Sequence, residues 1–427
     1  MNITDRLLTL AQAKTDAEAL EMMQLSLADW AACGIAGAED RAFDGFRATV
    51  TGQAGTGTVT VFGGGRIPPA GAALINGTLS HALDYDDTHF AHIGHPSVAV
   101  VPAVLALAEE RDIPFAEMCE AALTGVEASI LVGQWLGRGH YQTGFHQTAT
   151  AGAFGATLGA ARLLELTPDQ TRMALGLCAS MASGLKSQFG TMAKPLNAGL
   201  AARTGIEAVL WAAAGVTAAS DGIAGPLGFG PTHHGSADET ALPDAGSPAR
   251  QILQISHKFH ACCHGLHAML EAVSKMNVTA EHVDRIMIST HPRWMTVCNQ
   301  QNPETGLAVK FSYPHTAAMA LAGISTANIA RYTDESACDP QLVALRERVT
   351  VQEDDTLSEM QARILVMNND GSEVSGFHDL AAPVSLAERR SRLMRKAVAL
   401  IGARRADTLW SAVDTGDFRA FVQVIGD

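Results

Sequence analysis

Histidine is the side chain that most readily takes and gives a proton near neutral pH, and the 16 histidines of this chain are unevenly placed. His81, His89, His92 and His95 fall within fifteen positions, interleaved with Asp84, Asp86, Asp87 and Thr88. A helix running through Thr88 would set His81, Asp84 and Thr88 on one face, at steps of three and four. Gly94 and Pro96 then break the helix and leave His95 on a turn. A carboxylate, a hydroxyl and an imidazole can thus converge on a catalytic or substrate-binding wall. A solvated polar loop and a metal site are the alternatives. Asp and His suit zinc or iron, but the spacing matches neither His-Glu-x-x-His nor a calcium loop.

Three further stretches carry similar chemistry. His140 and His146 flank a glycine, and the small residues after His146 suggest that it stands at a helix entry, where the neutral imidazole is favoured. A buried, hydrogen-bonded structural histidine explains the spacing equally well. In GTMAKPLNAG (190–199) Pro195 is expected to keep Lys194 out of helical geometry, with Asn197 capping an Ala-rich helix from about residue 198. A lysine beside free helix amides suits a carboxylate, whereas a lone surface lysine is the plainer alternative. His257, His260, His264 and His267 fall within eleven positions around Cys262-Cys263. Adjacent cysteines without Cys-x-x-Cys argue against zinc, which leaves a general acid or base.

These groups need a scaffold. Apolar residues recur at helical spacing over 16–34, 102–110 and 117–135, and Thr167-Pro168-Asp169-Gln170 reads as a capping box opening another helix. Gly152, Gly155 and Gly159 fit close helix packing better than a phosphate loop, because no lysine follows in the Walker pattern. After about residue 280 the pattern changes. Val283, Ile286 and Ile288 read as a strand, and residues 363–367 and 372–377 read as a hairpin on Asp370-Gly371. A smaller α+β segment, 268–384, therefore interrupts a mostly α protein.

The 427 residues are 47% apolar and 17% charged, which excludes a disordered chain. Thirty basic against 44 acidic residues give a net charge of −14, a poor match to nucleic acid or an anionic membrane. Cations for an anionic substrate must then be local. Seven cysteines are no disulfide framework, and no signal pattern or spanning apolar run is apparent. The expected setting is the cytoplasm.

Taken together, NGTLSHALDYDDT (76–88), HPS (95–97), GFH (144–146), GTMAKP (190–195), CCHGLH (262–267) and KFSYPH (310–315) resemble, in order, the motifs of the MmgE/PrpD family. That family includes 2-methylcitrate dehydratases, cis-aconitate decarboxylases and iminodisuccinate epimerases. The resemblance implies a large all-helical domain from both chain ends (1–267 and 385–427), a smaller inserted α+β lid domain (268–384), a homodimer, and chemistry without cofactor or metal. It carries site roles onto Asp84, Thr88, His95, His146, Lys194 and His267, and adds Tyr313 and His315 as substrate-binding candidates. Lys194 would hold a substrate carboxylate, and His95 and His267 would form the acid–base pair. Asp84 would orient an imidazole, Thr88 would donate a hydrogen bond, and His146 would polarise the substrate. Departures are Asn197 where the family often has His, His315 where it often has Tyr, and His260-Ala261-Cys262 before the cysteine pair. The implied partner is a small polycarboxylate, and the favoured reaction is dehydration of a 2-methylcitrate-like hydroxy-tricarboxylate. Epimerisation and decarboxylation are alternatives within the family. A non-catalytic polycarboxylate-binding protein is the alternative of another class.

Overall fold

The N-terminal part is built on long helices, several of them buried on most sides. In the computed structural model, which describes residues 1–243 and 250–427, they are α1 (Ala17–Gly37), α2 (Pro69–His81), α3 (Ser97–Arg111), α4 (Phe115–Thr143), α5 (Gln147–Leu163), α6 (Pro168–Met181) and α7 (Ala193–Ala213). Asp16 caps α1 through the amide of Ala19, and Thr167 and Gln170 form the expected capping box on α6. The small-residue run of α5 serves close packing. A Cβ on Gly155 would lie 2.6 Å from both the Gly125 carbonyl and the Ser129 Cβ, so only glycine lets α4 and α5 approach this closely.

The chain divides into two compact units, 1–257 with 389–427, and 258–388. In the second unit, α8 (His267–Ser274) precedes β1 (Val283–Thr290), α9 (Tyr313–Leu321), β2 (Val349–Glu353), β3 (Gln361–Asn368) and β4 (Glu373–Asp379). The sheet order is β2-β1-β3-β4. β1 and β2 are parallel, with Ile286 opposite Val349, and the other pairs are antiparallel. The β3–β4 hairpin turns at Gly371, at φ +82°, as its Asp-Gly pair predicts. Ile286, Ile288, Ile364 and Val366 fill the buried side of the sheet. The chain then returns through α10 (Leu386–Ile401), α11 (Ala403–Thr415) and α12 (Phe418–Gly426), which belong to the first unit from Arg389 onward. Among the described residues the protein is thus mostly α, with this small mixed sheet and a two-stranded antiparallel ribbon, Val59–Thr60 against Arg66–Ile67, in the first unit. No helix among the described residues is long and apolar enough to cross a membrane.

Two local expectations need correction. The helix expected to run through Thr88 ends at His81, and Asp84 adopts left-handed backbone at φ +51°. Short acidic side chains compete for backbone groups and favour turns, and three of them follow within six residues of the helix end. Lys194 was expected outside a helix, yet it is the second residue of α7. Pro195 falls in the first turn, where a missing N–H costs nothing, so the helix starts five residues earlier than Asn197 would have placed it.

Candidate active site

Within the first unit, a backbone crossing sets up the site. A Cβ on Gly77 would lie 2.8 Å from the Gly199 Cα, and a Cβ on Gly199 would lie 2.2 Å from the Leu74 carbonyl. Helices α2 and α7 therefore meet almost main chain to main chain. His81 lies one turn beyond that crossing on α2, and Lys194 lies just over one turn before it on α7. The loop between α2 and α3 supplies the remaining groups. The His95 amide donates to Thr148 Oγ1 at 3.1 Å, which pins the loop to the first turn of α5.

The result is a continuous polar chain. Lys194 Nζ donates to Asp84 Oδ1 at 2.6 Å, and the same oxygen lies 3.4 Å from His95 Nε2. His95 Nδ1 lies 2.7 Å from Asp86 Oδ2, and Asp86 Oδ1 lies 2.9 Å from His81 Nδ1. Exposure falls along it, from 34% for the Asp84 side chain and 17% for Lys194 to 11% for His95, 1% for Asp86 and none for His81. Asp84, Lys194 and the edge of His95 are thus the groups open to a ligand, and Asp86 and His81 lie behind them. Burial pushes the Asp86 carboxyl up, but the charges and hydrogen bonds of His81 and His95 outweigh it and hold it well below the usual carboxylate range.

His146 is the N-cap residue of α5, as its sequence setting suggested. Its ring stacks against His81 at 6.1 Å and packs edge-on against Phe189 at 5.1 Å. The Asn197 side-chain amide lies 3.3 Å from its Nδ1. Burial, then the nearby His81, Lys194 and His95, push its pKa well below the ordinary imidazole value despite Asp84, so His146 works as a neutral ring.

Other expected roles change. The α7 amides expected to assist Lys194 are engaged, Ala193 N with Thr191 Oγ1 at 3.2 Å and Lys194 N with the Thr191 carbonyl at 3.1 Å. What Lys194 offers an anion is therefore its ammonium and not the helix amides. The Thr88 hydroxyl donates to the Ser256 carbonyl at 3.1 Å, beside a two-way backbone bridge between the same residues. It ties loops together, because a hydroxyl has one hydrogen to give.

In the second unit His267 opens α8 and is buried, with its ring 5.0 Å from that of His260 and 4.5 Å from that of His264. Its Nε2 has no hydrogen-bond partner among the described residues. Burial, followed by His264, His260 and Lys258, pushes its pKa well below the ordinary value. His260 is held by Thr326 at 2.6 Å and Glu271 at 3.2 Å. Tyr313, expected to bind substrate, is a core residue. Its hydroxyl donates to the Gly265 carbonyl at 2.6 Å and pairs with Thr290 Oγ1 at 2.8 Å. His315 is likewise buried, beside Arg346 at 3.3 Å, and burial and that cation push it down to about 4.

Sequence reasoning left Asp86 out of the site. Its signal was present, since an acid lies among four histidines, but Asp84, Asp86 and Asp87 are alike on paper. Asp87 turns the other way, to the amide and hydroxyl of Ser97. His81, Asp84, Asp86 and His95 can also each bring a ligand atom within 4.8 Å of one another, a donor set that a divalent metal accepts. The Lys194 ammonium on Asp84 opposes a second cation there.

Two imidazoles bracketing a buried carboxylate, with an ammonium at the open end, define an acid–base site for an anion. The chain belongs to the MmgE/PrpD family. Its residues 2–240 match the MmgE/PrpD N-terminal domain and residues 260–408 match the C-terminal domain. Among similar proteins is the cis-aconitate decarboxylase of Aspergillus terreus, 26% identical over 92% of this chain and 87% of that protein. The enzyme of the same name from Homo sapiens is 32% identical over 39% of this chain and 35% of its own length. That from Mus musculus is 26% identical over 67% and 61%.

Proposed function

We propose that this protein is a lyase of small polycarboxylates that needs no cofactor, and that it decarboxylates cis-aconitate or a close unsaturated analogue. The Lys194–Asp84–His95–Asp86–His81 chain carries the reading, because it pairs a carboxylate-binding cation with a proton-transferring imidazole on one half-exposed face. The names of the relatives favour loss of CO2 over loss of water. In an acid with a carboxylate one carbon from a double bond, departing CO2 leaves an electron pair that shifts the double bond. The far alkene carbon then takes a proton. Lys194 holds a carboxylate by exchanging Asp84 for substrate, His95 in its doubly protonated form delivers the Nε2 proton and takes a new one from solvent after turnover, and His146 donates or accepts as a neutral ring. His267 is the proposed second acid–base group. The protein would act as a homodimer in the cytoplasm.

Incubation with cis-aconitate and with 2-methylcitrate in D2O, read by NMR, tests this. CO2 release with deuterium in the product is the expected result. A new alkene from the hydroxy acid means dehydration, and deuterium at an inverted centre means epimerisation. Binding without turnover means a carrier.

A further inference from the structure

The buried side of the cluster determines which nitrogen His95 presents to a ligand. Asp86 is an acceptor with two oxygens, and each faces the Nδ1 of a different ring, Oδ1 that of His81 and Oδ2 that of His95. A carboxylate held in its ionised form only accepts, so a proton belongs on the Nδ1 of His81, which makes the hydrogen bond, and on that of His95, which comes within 2.7 Å of Oδ2 without meeting hydrogen-bond geometry. We propose that Asp86 is a positioning residue that fixes the tautomer of His81 and His95 together, so that His95 exchanges its proton through Nε2 alone.

The surroundings make this assignment one-sided. The His95 Nε2 faces the half-exposed Asp84 at 3.4 Å, where a ligand arrives. The His81 Nε2 is buried and has no hydrogen-bond partner among the described residues, so that ring has no outlet for a proton and acts as a brace. It occupies Oδ1 and leaves Oδ2 for His95, whose Nδ1 lies 2.7 Å away. The His81 and His95 rings meet edge to face at 4.6 Å, which fixes their relative orientation. The backbone adds to the hold, because Lys396 Nζ donates to the carbonyl of Tyr85, the residue just before Asp86, at 2.6 Å. A buried carboxylate on Nδ1–H is a general device for orienting a catalytic imidazole. Here one carboxylate serves two rings.

The role of His95 in turnover rests on the proposed lyase reading, whereas the tautomers do not. Histidine-selective 15N NMR at pH 8 reads them directly, with signals assigned by their loss in His81→Asn and His95→Asn. The expected result is a protonated Nδ1 on both rings in the wild-type protein. A bare Nδ1 on either ring overturns the proposal whether or not any variant folds. Asp86→Asn places an amide N–H against one ring, so at least one Nδ1 should lose its proton. On whichever acid the D2O incubation shows to be turned over, kcat should fall on the order of 10³-fold with KM changed less than about threefold. Unchanged tautomers in Asp86→Asn overturn the proposal, as does a changed tautomer with undiminished kcat. If no acid is turned over, the lyase reading fails and the NMR result still decides this one.

Discussion

Lys194 Nζ and Asp84 Oδ1 lie 2.6 Å apart across 110 residues of sequence, and Asp84 occupies the ammonium as a substrate carboxylate would. The pair is partly exposed, so its net contribution to stability is at most about 1 kcal/mol. Function and fold therefore separate. Lys194→Ala should lower kcat/KM at least about tenfold while moving Tm by no more than about 3 °C. His267→Ala should also cost at least about tenfold. Steady-state kinetics with a thermal melt check both. Near wild-type rates for the two variants would remove these residues from the site.

The α4–α5 contact gives a sharper stability test. Glycine to alanine within a helix normally gains about 0.5–1 kcal/mol. At Gly155 the added Cβ meets a backbone carbonyl and Ser129 at 2.6 Å, and neither is the far end of a flexible side chain. Gly155→Ala should destabilise by about 1–3 kcal/mol, the ordinary cost of overpacking. Urea unfolding gives the value, and a variant as stable as the parent would show that the helices separate freely.

What the sequence revealed follows from the range of the forces involved. The α6 capping box, the entry of α5 at His146 and the hairpin at Gly371 depend on neighbours within a few residues, and each is found where expected. The cluster at 81–95 and Lys194 were legible as residue types. Their geometry was not, because the Gly77–Gly199 crossing that assembles them joins segments more than a hundred residues apart. The same limit hid Asp86. Its direction differs from that of Asp87 because Ser97 takes one carboxylate and two imidazoles take the other. Tyr313 looked like a ligand-binding phenol, and only Gly265 and Thr290, 48 and 23 residues away, show it as core.

Buried acids give a pH signature. Glu127 accepts from the amides of Gln251 and Ile252 at 3.0 and 2.8 Å, and burial outweighs these bonds and pushes its pKa up to about 7. The folded protein therefore holds a proton that the unfolded chain has lost above its ordinary value near 4.5. Stability from this group is fully present below that value and is lost as pH rises through about 7. Glu127→Gln cannot titrate. Its stability relative to the parent should rise by roughly 2–3 kcal/mol between pH 5 and pH 8. Urea unfolding at the two values measures it, and a constant difference would mean that Glu127 is ionised in the folded state throughout.

The last prediction concerns Lys396, which reaches from α10 to the site loop. Its ammonium is buried, 2.6 Å from Asp29 Oδ1 and 2.6 Å from the Tyr85 carbonyl, and it lies 4.0 Å from the centre of the Tyr85 ring. Burial raises Asp29 to about 6 in spite of this cation. Lys396→Met would strand Asp29 in a dry site and should cost on the order of 3–5 kcal/mol. Adding Asp29→Asn removes the stranded charge and should restore much of that loss, as replacement of a whole buried pair often does. Activity should behave differently. The double variant still lacks the donor on Tyr85, which lies between Asp84 and Asp86, so its kcat should stay about tenfold or more below the parent. Urea unfolding and kinetics on the same two proteins separate the effects. If rate recovers in step with stability, Lys396 supports the fold alone and the loop keeps its geometry without it.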